Sequence, residues 1–139
     1  MTIAQQLKIK DFPFTIKDKN GSQIYCEYSN GFWLKSERDA NGKEIYDENS
    51  NGFWWKCERD ANGKVIYHED SNNFRWKSEY DANGKEIYCE NSIGYWYKKE
   101  HDANGNVIYC ENSDGYIELT LEQIAAKLGI NVSQLRIKD

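Results

Sequence analysis

The chain has 139 residues, 29% of them charged and 14% aromatic, with a mean hydropathy of −0.91 and a net charge of −5. That length fits one domain, and no apolar run approaches the roughly 20 residues of a membrane span. The acidic balance disfavours direct nucleic-acid contact, which requires a basic stripe.

Residues 1–17 read as an N-terminal cap and first strand. MTIAQQLKIK lacks the apolar stretch of a signal peptide. The cytosol is therefore the expected location, and there the four cysteines stay reduced. Ile3, Leu7, Ile9, Phe12 and Phe14 give the segment an apolar side, and Pro13 marks the approach to the first strand.

From residue 18 to residue 116 a 21-residue unit recurs in five tandem copies, the last truncated. Its Asp stands at 18, 39, 60, 81 and 102, and Ile-Tyr begins at 24, 45, 66, 87 and 108. Each unit reads as two short strands and two turns. Phe32–Arg38 and Lys43–Asn49 are rich in aromatic and β-branched residues and flank an Asn-Gly, a strong hairpin signal. The predicted fold is mainly β: an extended, twisted antiparallel meander of about eleven short strands between Phe12 and Thr120. Residues 117–139 form a C-terminal cap, with Thr120 capping a short helix over 121–128 and Gly129 ending it. TLEQIAAKLGINVSQL is similar to the opening of a helix-turn-helix and to a LysM-type stretch, but is too short to complete either. Residues 134–138 read as a last strand or a short turn.

An odd period would flip every second copy unless each repeat absorbs one extra residue. Asn91-Ser92-Ile93-Gly94 suggests where, because a two-residue type I′ turn would force Ile93 to positive φ. A three-residue turn with Gly94 left-handed avoids this, and Asn73 stands in that glycine column. The Ala-Asn-Gly-Lys turn is then the two-residue one, with Asp39-Ala40-Asn41-Gly42 the alternative place for the bulge. This register sets Lys35 opposite Glu48, Lys56 opposite Glu69, Lys77 opposite Glu90 and Lys98 opposite Glu111. One face carries Trp33, Lys35, Glu37, Tyr46 and Glu48 with their equivalents. The other carries Phe32, Leu34, Ser36, Ile45, Asp47 and the four cysteines, and is the expected core side. The ends, or a second chain in a homodimer, are expected to help cover it.

Several columns invite a chemical reading. Cys26, Cys89 and Cys110 share a position with Asp47 and His68, but equivalent residues lie two strands apart, about 9.6 Å at ~4.8 Å per strand. That is too far for shared zinc or a disulfide, so no metal and no cofactor is expected. Cys57 opposite His68 resembles a nucleophile–base pair, but neighbouring copies replace it with Ser36/Asp47 and Ser78/Cys89, so no catalysis is expected. His101 replaces Arg38, Arg59 and Tyr80 and reads as a surface choice. Glu27, Glu48, Glu69, Glu90 and Glu111 read as solvated cross-strand partners of lysines rather than calcium ligands.

The column Trp33, Trp54, Arg75, Trp96, interleaved with Tyr25, Tyr46, Tyr67, Tyr88 and Tyr109, is the best binding signal, because Trp and Tyr amid charge favour interfaces. The bland alternative is cross-strand stiffening of an exposed sheet. The candidate binding residues are Trp33, Trp54, Trp96, Tyr46, Tyr67, Tyr88, Lys35, Lys56, Lys77, Glu48 and Glu69.

DANGKEIYDENSNGFWWKCER and DANGNVIYCENSDGY, preceded by KIKDFPFTIKDKNGSQIYCEYSNGFW, resemble small repeat proteins of bacterial phages and prophages. The resemblance covers residues 8–116 on the pattern D-x-N-G…I-Y…E-x-S-x-G. A looser similarity links the units to YD (Rhs-type) and MORN-variant repeats, also built from β-hairpins. The phage resemblance implies a small accessory protein of the host bacterial cytosol that binds a host protein. Inhibition of a host defence system, anti-CRISPR-like, is the activity it implies, and it carries over no binding residues. The residues themselves favour a non-enzymatic binder of a protein with a basic surface, with no membrane partner. A carbohydrate-binding repeat module and a self-assembling structural protein remain the alternatives.

Overall fold

A computed structural model describes residues 1–136 of the chain. A short helix α1 (Ile3–Leu7) precedes the strands β1 (Phe14–Lys17), β2 (Gln23–Glu27), β3 (Trp33–Arg38), β4 (Glu44–Asn49), β5 (Trp54–Arg59) and β6 (Val65–Asp70). There follow β7 (Arg75–Tyr80), β8 (Glu86–Asn91), β9 (Trp96–His101), β10 (Val107–Asn112) and β11 (Ile117–Leu119), then helix α2 (Leu121–Leu128) and a 3-10 turn at Val132–Gln134. The eleven antiparallel strands form one open sheet whose strand order is chain order, as the hairpin pattern predicts. Contacts cluster in two compact units, Met1–Arg75 and Trp76–Asp139. The predicted extension of a last strand or turn to residue 138 falls partly outside the described residues. No helix among those residues is long and apolar enough to cross a membrane.

The predicted pairings are present. Lys35 lies opposite Glu48, Lys56 opposite Glu69, Lys77 opposite Glu90 and Lys98 opposite Glu111. The turn that produces them is not the predicted one. Both turns of a repeat are three-residue loops of one kind: Gly42 N–H donates to the Asp39 carbonyl at 2.9 Å, and Gly52 N–H to the Asn49 carbonyl at 3.0 Å. Asp39 Oδ1 accepts the amides of Asn41 and Lys43, each at 2.9 Å. That side-chain clasp favours a right-handed loop closed by glycine over type I′, and Asn41 has no positive φ. Asn73, at φ +63°, fills its left-handed glycine position as expected.

Two such turns leave the face parity unchanged, so the odd residue sits elsewhere. In β4 the pairing shifts between Glu37–Tyr46 and Arg38–Glu44, leaving Ile45 as a bulge. Equivalent shifts isolate Ile24, Ile66, Ile87 and Ile108. One bulged isoleucine per copy keeps all copies facing the same way.

The core is thin. A folded monomer of this mass typically exposes about 7,500 Å², whereas this chain exposes 10039 Å². Of the expected core columns only Cys26, Cys57 and Ser78 are buried, while Leu34, Asp47, Cys89 and Cys110 are half-buried. Ile45 leaves that face because the bulge carries it into a cleft with Lys35, Glu37, Tyr46 and Lys56. The N-terminal cap also lies on the side opposite to the one expected. It covers Tyr25 and Glu27, which stand on the Trp/Lys face at 8% and 2% exposure.

The two helices share their end chemistry. Thr2 with Gln5, and Thr120 with Gln123, form capping boxes. Lys8 and Gly129 end the helices in left-handed conformation, and Ile9 and Ile130 bond back to Ala4 and Ala125. Ala4 and Ala125 are the buried residues of their helices. Gln123, Ala126 and Lys127 of α2 line a cleft with Lys98, Glu100 and Tyr109, again on the Trp/Lys face.

Candidate binding face

Along a strand, residues two apart point to the same side, so the Tyr-x-Glu of each copy sets a phenol beside a carboxylate. Tyr46 donates to Glu48 at 3.2 Å, Tyr67 to Glu69 at 2.9 Å and Tyr88 to Glu90 at 2.5 Å. Cross-strand lysines complete two of these dyads, with Lys56 3.1 Å from Glu69 and Lys77 2.7 Å from Glu90. The bonds from Lys56 and then Tyr67 hold the Glu69 carboxyl below its usual range, and Lys77 and Tyr88 do the same for Glu90. Each carboxylate in turn raises the pKa of its tyrosine.

Lys35 departs from this arrangement. Although its Cα lies opposite Glu48, its ammonium pairs with Glu37 at 3.2 Å and sits over the Tyr46 ring at 5.5 Å. Lys56 also lies over the Trp54 ring, at 5.9 Å. The lysine side chains are 46–53% exposed, so their pairs add little stability and remain open to a partner.

Trp33, Trp54 and Trp96 are held by a serine that the sequence reading passed over. Ser50 N–H donates to the Trp33 carbonyl at 3.0 Å, while Ser50 Oγ accepts the Trp33 amide at 3.3 Å. Ser71 and Ser113 bind Trp54 and Trp96 in the same way. The signal for this role was the serine recurring seventeen residues after each tryptophan, in Asn-Ser-x-Gly at Ser50 and Ser113 and in Asp-Ser-Asn-Asn at Ser71. Trp33 differs from the other two because it stacks on Tyr25, 6.1 Å between ring centroids, in the covered copy.

That copy shows what the face can hold. Glu27, expected as a solvated partner of a lysine, lies opposite Trp33 and Phe14 instead. Its carboxylate accepts the Thr2 hydroxyl, the Ala4 amide at 3.0 Å and the Tyr25 hydroxyl at 2.8 Å. Burial acts to raise the Glu27 pKa, but these bonds outweigh it and hold the carboxyl low. Burial and the bond to Glu27 push Tyr25 up to about 12. The Thr-x-x-Gln at residues 2–5 was the visible sign of this helix start.

The remaining columns resolve as follows. Cys57 lies opposite His68 as predicted, but burial pushes the thiol pKa up, away from a reactive thiolate. Cys57 donates to the Glu44 carbonyl at 3.6 Å, and the His68 ring stacks on Trp55 at 6.0 Å. The four cysteines are free thiols, and among the described residues no three His, Cys, Asp or Glu side chains converge on a metal position. His101 is not the surface residue expected: its side chain is 9% exposed, with Nδ1 3.9 Å from Asp81. Where Arg38 and Arg59 fold back onto the carbonyls of Gly42 and Gly63, the shorter imidazole stays tucked beside the neighbouring hairpin.

No family model and no curated protein matches the chain. Similar solved structures include the Photorhabdus luminescens Tc holotoxin pore, at 17% identity over 72% of this chain with a TM-score of 0.57. The TcdB2-TccC3-TEV structure matches at 15% identity over 81% of this chain, TM-score 0.57. The TcdB2-TccC3-Cdc42 structure matches at 17% over 71%, TM-score 0.55. The matched regions are only 5–6% of those toxin chains. The likeness is one of fold: a repeated antiparallel meander, the architecture expected from the looser resemblance to YD (Rhs-type) repeats.

Proposed function

We propose that the chain is a non-enzymatic accessory protein of phage type that binds a protein of the host bacterial cytosol through its Trp/Tyr/Lys/Glu face. Binding blocks the partner by occupying its surface, and inhibition of a host defence system, anti-CRISPR-like, is the activity this setting suggests. The observation that supports the reading most is that one copy of the face already holds a helix: Tyr25 and Glu27 carry the first turn of α1. The Tyr46 and Tyr88 copies repeat the same side chains in the same register. The net charge of −5 suits a partner with a basic surface.

Affinity capture from a bacterial lysate, with mass spectrometry of the retained proteins, tests the proposal. A stoichiometric basic protein retained by the chain is the expected result. The likeness to segments of Tc toxin structures favours a second reading, a structural repeat that assembles through its exposed edge strands β1 and β11. Light scattering separates the two, since growth beyond a dimer with rising concentration belongs only to assembly. Retention on a glycan array would instead favour the carbohydrate-binding alternative.

A further inference from the structure

Resting on that binding face, we infer that the Tyr46–Glu48 dyad is a receptor for the first turn of a Ser- or Thr-capped helix carried by a protein partner. A helix start leaves its first amides without intrahelical acceptors, and in the Tyr25–Glu27 copy the sheet supplies one. There the capping hydroxyl of Thr2 and the second-position amide of Ala4 both donate to Glu27. Tyr25 holds the carboxylate in place from the same strand at 2.8 Å.

Tyr46 and Glu48 are the same residues one copy on, paired with Lys56 and Trp54 as Tyr25 and Glu27 are paired with Lys35 and Trp33. Their own hydrogen bond is already formed at 3.2 Å, so the phenol that orients the carboxylate is in position. Among Glu48, Glu69 and Glu90, Glu48 is the one that its cross-strand lysine leaves open. Lys35 binds Glu37, whereas Lys56 and Lys77 occupy Glu69 and Glu90. A carboxylate accepting one phenol retains room for the two further donors that Glu27 accepts.

The neighbouring strand specifies the partner further. Ile3, which follows the capping threonine, shares a cleft with Ile16, and Ile16 lies opposite Tyr25. Opposite Tyr46 that place belongs to Glu37. The occupant of the second copy therefore carries a basic residue just after its cap, where α1 carries an isoleucine. Such a helix complements a chain of net charge −5.

The test is a titration of the ¹⁵N-labelled full chain with an alanine-rich helical peptide of about 18 residues opening Thr-Lys-Ala-Gln, long enough to hold helix in water. Saturable amide shifts centred on Tyr46–Glu48 and Trp54–Lys56 are expected. Because hydrogen bonds to a charged acceptor are the strong ones, Glu48→Gln weakens binding by about tenfold with an unchanged melting curve. A peptide with Val in place of its Thr loses affinity by a similar factor. Shifts elsewhere only, or equal binding by Glu48→Gln or by the Val peptide, overturn the inference. So does a dimer in which α1 of a second copy takes the site. A host protein captured equally well by Glu48→Gln, yet lost when Trp54 is removed, overturns the dyad while leaving the binding face standing.

Discussion

The Ala4 amide donates to the Glu27 carboxylate at 3.0 Å, fixing the N-terminal helix to the face that carries the tryptophans and lysines. With the Thr2 and Tyr25 hydroxyls bound to the same carboxylate, Glu27 joins the cap to the sheet. Glu27→Ala should release α1, leaving the Thr2 and Tyr25 hydroxyls without their acceptor. The expected result is a melting temperature lower by about 5 °C, the scale of a lost charged hydrogen-bond network in a domain this size, and fast hydrogen exchange at Ala4. An Ala4 amide that stays protected would show that α1 docks without the carboxylate.

The same groups set the acid and alkaline limits of stability. Glu27, Glu69 and Glu90 have pKa values depressed in the folded state. Their contribution is therefore present above about 4.5, the unfolded value, and is lost as pH falls through the folded values. Tyr25 and Tyr109 are raised to about 12, the first chiefly by burial and the second chiefly by its bond to Glu111. Their contribution is complete below about 10 and disappears as pH rises towards 12. Tyrosinate absorbance near pH 11 should be clearly lower in the folded chain than in urea. Equal absorbance in both would contradict the Tyr–Glu pairs.

The bulged isoleucine makes deletions sharply unequal. Removing Ile45 alone takes out the unpaired residue, so Arg38 stays opposite Glu44, Glu37 stays opposite Tyr46, and every face is kept. Removing Lys56 from the regularly paired β5 instead turns the residues on one side of the deletion to the opposite face. The Ile45 deletion should retain a cooperative melt and a sheet-type circular dichroism spectrum, while the Lys56 deletion should lose the melt. The reverse order would contradict the bulge.

Gly52 tests the turn geometry by itself. At φ +83° a Cβ would meet nothing within 4 Å, so Gly52→Ala carries only the left-handed backbone penalty, about 1–2 kcal/mol. Chemical denaturation measures it, and a neutral substitution would mean that the turn is not left-handed at this residue.

Much of this was legible in the sequence. Alternating Lys and Glu on a fixed period determine which residues meet across β3–β4, β5–β6, β7–β8 and β9–β10, because only one register satisfies every copy. The location of the odd residue was not legible. An Asn-Gly reads as a type I′ turn until the preceding Asp39 is counted as a clasp on two amides, and the bulge then passes to Ile45. The cap's side was misread for a related reason. Apolar residues at 3, 7 and 9 suggest an apolar landing surface, whereas the anchor is a carboxylate, Glu27, whose copies elsewhere remain half in water. Tyr46, Tyr67 and Tyr88 each bond the glutamate two residues on, whereas Trp33 belongs to the capped end. His101 looked superficial because Arg38 and Arg59 of its column reach back to a turn carbonyl, and imidazole is too short to follow them.

Capture from a bacterial lysate by the wild-type chain, set beside capture by Trp54→Ala/Trp96→Ala, measures the role of the Trp/Tyr/Lys/Glu face most directly. Both tryptophans are half-buried on that face, and their strands are tied by Ser71 and Ser113 through backbone bonds that the substitutions leave intact. The wild-type chain should retain a partner that the double variant loses, with circular dichroism unchanged. Equal capture by both chains would contradict binding through this face.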